Sequence, residues 1–105
     1  MGRTVEGMPS YLVETFLARG HAGERAARET RARSAAEALT REGSCVRYEG
    51  SIHVPEDEIC FFAFEAPSGR EAALVAQRAE IDPLRVVEAA TSREESIDVP
   101  GGAEQ

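Results

Sequence analysis

A hairpin pattern in the middle of the chain constrains the fold more than any other feature. Residues 45–54 alternate between apolar and polar side chains, and residues 59–64 form a continuous apolar run of strand length. Residues 55–58, Pro-Glu-Asp-Glu, separate the two runs and have the composition of a turn. A four-residue turn aligns the runs so that His53 lies opposite Cys60. We therefore predict two antiparallel strands in this register.

Segments on both sides of the hairpin complete an order of strands and helices. Four segments have the composition or periodicity of regular structure: a strand at residues 11–17, a helix at residues 22–42, a second helix ending near residue 79, and a strand at residues 85–90. Gly43 is placed to close the first helix, and Ser68 and Glu71 have the spacing of a capping box at the start of the second. The order β-α-β-β-α-β predicts an α+β, ferredoxin-like sandwich: an antiparallel four-stranded sheet with two helices on one face.

Length and composition predict a single domain. A chain of 105 residues can bury one core. We expect the domain to cover residues 8–91, with a flexible leader at residues 1–7 and a disordered tail at residues 92–105. Apolar runs fall short of the roughly 18 residues that span a bilayer, and the first residues lack a secretion signal. We expect a cytoplasmic protein in which Cys45 and Cys60 are reduced.

Charge and the absence of known motifs exclude several function classes. The formal net charge is -7, from 19 acidic and 12 basic residues. Such a charge repels a phosphate backbone, so we expect no nucleic-acid partner. The sequence contains no GxGxxG, P-loop, paired CxxC, HExxH or GxSxG motif. Nucleotide-dependent chemistry therefore has no support, and we expect no cofactor.

The hairpin register divides its side chains between two faces. One face, which we expect under the helices, carries Tyr48, Gly50, Ile52, Val54, Ile59, Phe61 and Ala63. The other carries Arg47, Glu49, Ser51, His53, Cys60, Phe62 and Phe64, and Glu14 and Glu88 join it if Val13 and Val87 point at the helices. Contiguous apolar surface is uncommon on monomers, so this second face needs cover, either a second copy of the chain or a ligand in a cleft. We predict a homodimer through the face bearing Phe62 and Phe64, with a cavity between the sheets.

The candidate site residues are those of the second face. We predict ligand binding by Glu14, Arg47, Glu49, Phe62 and Phe64. Among the carboxylates Glu14 is the strongest candidate for a general base or hard-metal ligand, because a charge on a central strand is poorly explained by solvation.

His53 and Cys60 form a candidate metal site. Opposed side chains of an antiparallel pair have Cβ atoms about 4.5–5.5 Å apart, close enough to chelate one transition metal. The competing interpretation is a surface histidine beside a packed thiol. Because two protein ligands are few, we predict weak or absent nickel and zinc binding.

Three short segments resemble a known family. They are MPSYLVE at residues 8–14, FFAFEAPS at residues 61–68 and RVVE at residues 85–88. The chain is similar over residues 8–91 to a family of small bacterial ferredoxin-like proteins that includes a nickel-binding member. The resemblance implies the ferredoxin-like fold, and a nickel site would imply histidines at the end of the first strand. This chain has Glu14 and Thr15 there.

Two function classes remain open. The first is a non-enzymatic protein that binds a small molecule or a metal in a cavity on the sheet face or at the dimer interface, in keeping with the resemblance. The alternative is a cofactor-free enzyme of the dimeric α+β barrel kind, like cyclases and small monooxygenases, with Glu14 or His53 as general acid or base.

Overall fold

The computed structural model describes residues 8–90, and its elements follow the predicted order. Their bounds are β1, Ser10–Phe16; α1, Glu24–Arg41; β2, Arg47–Val54; β3, Ile59–Glu65; α2, Gly69–Arg78; and β4, Pro83–Ala89. The leader predicted at residues 1–7 and the tail predicted at residues 92–105 lie outside the described residues. Neither helix within residues 8–90 is long and apolar enough to cross a membrane.

The four strands form one antiparallel sheet in the order β2-β3-β1-β4. The central strands are therefore β1 and β3, as in the predicted topology. Alternate residues of these strands, such as Val13 and Phe62, are buried in one core with Ala36 of α1 and Val75 of α2. The predicted ferredoxin-like sandwich is confirmed.

The hairpin between β2 and β3 has the predicted register. His53 pairs with Cys60, and the turn spans the four residues between the strands. Glu58 closes the turn in the left-handed conformation, with φ of 55°, and its N–H donates to the Pro55 carbonyl at 3.0 Å. The turn length fixes the register because each strand must begin directly where the turn ends.

The helix ends use the residues that the sequence indicates. At the end of α1, Gly43 has φ of 109°, and the N–H of Ser44 donates to the Leu39 carbonyl at 2.9 Å. This is the Schellman arrangement, for which glycine is favoured. At the start of α2, the Ser68 hydroxyl accepts from the Arg70 N–H at 3.2 Å, and the carboxylate of the predicted capping-box glutamate contacts the same hydroxyl.

Between residues 50 and 64 of the hairpin, the two faces of the sheet are the reverse of our prediction. Cys60, Phe62 and Phe64 are fully buried beneath the helices, whereas Ile52 lies on the opposite face and is 60% exposed. Phe62 and Phe64 therefore cannot form a dimer contact or a ligand site, although the homodimer itself stays a prediction. The buried side of α1 consists mainly of small residues, Ala32, Ala35, Ala36 and Leu39. Alanines leave room beneath the helix for the two aromatic rings, as close packing requires.

A β-bulge in β2 breaks the predicted alternation. Tyr48 pairs with Phe64 and Gly50 pairs with Ala63, so Glu49 is an extra residue with no opposite partner. Gly50 has φ of 147°, a conformation that favours glycine. Tyr48 consequently packs against the core while Gly50 lies on the other face, and our prediction that they share a face is wrong.

Candidate functional site

The sheet face that points away from the helices, here called the open face, carries apolar side chains that no other layer of residues 8–90 covers. Ile52 is 60% exposed and Phe16 is 53% exposed. Leu12, Phe61 and Ala63 lie on the same face, on the two central strands. Contiguous apolar surface of this kind marks an interaction or ligand site in many proteins.

A hollow of about 260 Å³ lies in the open face over β1, β2 and β3. Its lining consists of Leu12, Glu49, Gly50, Ser51, Ile52, Phe61 and Ala63. The depression exists because Gly50 and Ala63, which pair across the two strands, have little or no side chain, while larger apolar groups surround them. At the rim, the Glu49 carboxylate accepts a hydrogen bond from the Ser10 hydroxyl at 3.1 Å. The sequence signal for the hollow and the adjoining bulge is Gly50, a glycine inside a strand pattern.

Ion pairs flank the apolar part of the open face. The Arg85 guanidinium lies 2.7 Å from the Glu14 carboxylate, and the Arg47 guanidinium lies 2.9 Å from that of Glu65. Both arginine side chains are 67% exposed, while Glu14 is 19% exposed. The carboxylate of Glu14 thus has a cation as its partner.

The predicted ligand-binding residues divide into two groups. Glu14, Arg47 and Glu49 lie on the open face. Phe62 and Phe64 are core residues and do not join them. The apolar lining of the hollow instead comes from Leu12 and from Ile52, Phe61 and Ala63, and we predicted the last three on the helix side.

Glu88 also lies away from the open face. It pairs with Tyr11, whose side chain packs against the core, and it is exposed at the margin of the helix side. Val87 pairs with Leu12 and therefore belongs to the open face. We predicted Glu88 on this face only if Val87 points at the helices. Val87 points away from them, so Glu88 does not join the open face.

His53 and Cys60 lie opposite each other, but on the helix side of the sheet. Cys60 is fully buried, and this burial raises the pKa of its thiol. The His53 Nε2 atom lies 3.4 Å from the Leu17 carbonyl oxygen. No group of three or more side chains suited to hold a metal ion occurs within residues 8–90. A buried thiol that retains its proton is a poor metal ligand, since the thiolate is the ligating form.

A polar cluster between α1 and β2 was not predicted. The Glu29 carboxylate accepts hydrogen bonds from the Ser51 hydroxyl at 2.6 Å and the Tyr48 hydroxyl at 2.8 Å. Arg25 donates to the Ser51 hydroxyl at 2.8 Å and to its carbonyl at 3.1 Å.

These contacts perturb two groups of the cluster. The hydrogen bond from Ser51, followed by that from Tyr48, lowers the pKa of Glu29. Burial, and then the bond to Glu29, raises the pKa of the Tyr48 phenol. Because each side chain is engaged by another, the cluster fastens α1 to an edge strand. Sequence offered no signal for it, since polar residues of a helix ordinarily face water.

Comparison of the chain with protein-family models, with curated proteins and with solved structures found no match.

Proposed function

We propose that the protein is a non-enzymatic binding protein that holds a small, mainly apolar molecule in the hollow of the open face, beneath a second copy of the chain. The observation that carries this proposal is the hollow itself, an apolar depression on a sheet face that residues 8–90 leave uncovered. Small-molecule sites are typically concave and apolar, with a few polar groups that orient the ligand. Glu49 is such a group at the rim.

The size of the hollow supports a site completed by two copies. Its 260 Å³ falls below the roughly 300–1,000 Å³ typical of small-molecule pockets. Two hollows facing each other enclose twice 260 Å³, about 520 Å³, which falls within that range. A twofold arrangement brings the same surface of each copy together, as in most homodimers.

The area of the open face also supports self-association. Four strands about 4.8 Å apart, with seven residues rising about 3.4 Å each, form a face of about 19 by 24 Å, or about 450 Å² in projection. Covering this face on both copies removes about 900 Å² from water, close to the roughly 1,000 Å² that specific interfaces bury. We therefore expect a dimer that dissociates on dilution.

The competing functions have less support. The enzyme hypothesis needs Glu14 or His53 as a free acid or base. The Glu14 carboxylate pairs with Arg85, and His53 faces the helix side. The metal hypothesis needs Cys60 as a thiolate, but this side chain is fully buried and its pKa is raised.

A dye titration combined with sedimentation velocity tests the proposal. Nile red, a neutral dye whose fluorescence rises in apolar sites, should bind the wild type saturably, and the sedimentation coefficient should increase with protein concentration. Ala63→Leu places a larger side chain in the floor of the hollow. It should weaken dye binding by at least about fivefold, because overpacking by a few methylenes costs about 1–3 kcal/mol.

Ala27→Leu is the matched control. Ala27 is exposed on α1, on the opposite side of the sheet from the open face, so it belongs neither to the hollow nor to the proposed dimer contact. This variant should bind the dye as the wild type does. Equal dye binding by both variants would place the dye elsewhere and remove the hollow as the site. A wild type that stays monomeric at all concentrations and binds no dye would overturn the proposal entirely.

A further inference from the structure

A second concavity, here called the arginine groove, runs between the C-terminal half of α1 and the beginning of β2. Its volume is about 590 Å³, within the roughly 300–1,000 Å³ range of ligand pockets. The lining consists of Arg33, Ala36, Glu37, Thr40, Arg41, Cys45, Val46, Arg47 and Tyr48. None of these residues lines the hollow of the open face, so the groove is a separate feature.

The groove concentrates positive charge on an acidic chain. Three arginines and one glutamate line it, whereas the whole chain has a formal net charge of -7. Arg47 pairs with Glu65, but no ion pair within residues 8–90 involves Arg33 or Arg41. Arg41 follows Arg33 by eight positions, a rise of about 12 Å along α1, and both residues line the groove. Within the described residues, neither guanidinium therefore has a carboxylate oxygen within 4.0 Å.

The floor of the groove is apolar. It includes Ala36, the buried Val46 and the ring of Tyr48. The Arg33 guanidinium carbon lies 5.5 Å from the centre of that ring, a cation–π distance. An occupant that matches this lining has a flat or aliphatic body against the floor and a negative group near the arginines.

We propose that the arginine groove binds small amphipathic anions, molecules with an aromatic or aliphatic body and one carboxylate or sulfonate group. We infer a negative charge on the occupant because Arg33 and Arg41 have no ion-pair partners in the described chain. We infer an apolar body because the floor of the groove is apolar. Guanidinium groups bind carboxylates and similar oxyanions through planar, two-point hydrogen bonds. Binding here depends neither on the dimer nor on the hollow of the open face.

Cys45 gives this site a built-in reporter. Its thiol is exposed and lines the groove, while Cys60, the other cysteine, is fully buried. The thiol is not required for binding. The Cys45 thiolate attacks one sulfur of an aromatic disulfide reagent and forms a protein–aryl disulfide. The sulfur–sulfur bond of the reagent breaks, and an aryl thiolate leaves with the electron pair.

The experiment compares the reaction of Cys45 with dithiobis(nitrobenzoate), which carries two carboxylates, and with neutral dithiodipyridine. The ratio of the anionic to the neutral rate should exceed that of mercaptoethanol by about tenfold or more, and the anionic rate should saturate with reagent concentration. Arg33→Gln and Arg41→Gln should each lower the anionic rate by about fivefold, the factor for one close charge contact in water. Naphthalene sulfonate should slow both reactions by occupying the groove.

Two variants serve as controls. Arg70→Gln removes an exposed arginine of α2 that makes no ion pair within the described chain, and it should leave both rates unchanged. Cys45→Ser should abolish both reactions. A rate ratio equal to that of mercaptoethanol, a linear dependence on reagent, or equal effects of the Arg41 and Arg70 substitutions would overturn the proposal.

Discussion

Phe61 and Phe62 are adjacent in sequence but lie on opposite faces of β3, and this difference predicts different costs of truncation. Phe62 is fully buried and lies 6.5 Å from Tyr48, ring centre to ring centre. Phe61 lies on the open face and lines the hollow. We expect Phe62→Ala to destabilise the domain far more than Phe61→Ala.

The magnitude for Phe62→Ala follows from burial. Removing a fully buried phenylalanine side chain forfeits about 2–3 kcal/mol of transfer free energy. A residual cavity of roughly 50–80 Å³ adds about 1–2 kcal/mol at about 24 cal/mol per Å³. The total of about 3–5 kcal/mol is a large part of the roughly 4–12 kcal/mol expected for a domain of this size. For Phe61→Ala we expect about 1 kcal/mol in the monomer, because its side chain is only partly buried.

Urea unfolding followed by circular dichroism measures both values. The titrations should be repeated at several protein concentrations, because the proposed dimer also covers Phe61 and would make the cost of Phe61→Ala rise with concentration. The cost of Phe62→Ala arises within one chain and should not depend on concentration. A free energy of unfolding that falls more for Phe61→Ala than for Phe62→Ala in the monomer would refute the assignment of the two faces.

Three further predictions concern the backbone and the pH dependence of stability. Gly50→Ala should lower the free energy of unfolding by about 1–3 kcal/mol because of its positive φ, whereas Gly23→Ala, which has open space and no such φ, should be nearly neutral in the same urea titration. Ser68→Ala removes the helix cap and should cost about 1 kcal/mol, a loss of about 4–8 °C in Tm by calorimetry. Burial raises the pKa of both Tyr48 and the Cys60 thiol, so the folded state binds their protons more tightly than the unfolded state. The contribution of these two groups to the free energy of unfolding should therefore be fully present below pH 9.0, the pKa of the thiol in the unfolded chain. Above that pH the free energy of unfolding should fall by up to about 1.4 kcal/mol per pH unit for each group. Tyr48→Phe should flatten the alkaline part of this profile, measured by urea unfolding.

The strand and helix order could be predicted because it depends on local signals. Apolar spacing located the elements, Gly43 supplied the left-handed residue at the end of α1, and Ser68 supplied the cap of α2. The register of His53 opposite Cys60 followed from turn length alone. Each of these features involves residues close in sequence, so no knowledge of the remote packing was needed.

The assignment of faces depended on remote packing and could not be predicted. Alternation shows which residues share a face but not which face the helices cover. The bulge at Glu49 then shifted Tyr48 to the helix side, where its hydroxyl meets Glu29 of α1. The apolar hollow was missed for the same reason, because Ile52, Phe61 and Ala63 were assigned to the helix side.

The continuous apolar run of β3, which made the two faces hard to distinguish in the sequence, also indicates that another layer covers the open face. A sheet with one face in water usually alternates apolar and polar residues, whereas strands covered on both faces are apolar throughout. β3 is apolar at six consecutive positions, residues 59–64. In β2 the distribution is even reversed: Ser51 points toward the helices, where Arg25 and Glu29 satisfy it, while Ile52 points outward. This arrangement is poorly suited to a solvated face and well suited to a sheet between two layers, of which α1 and α2 are one and the second copy that we propose is the other.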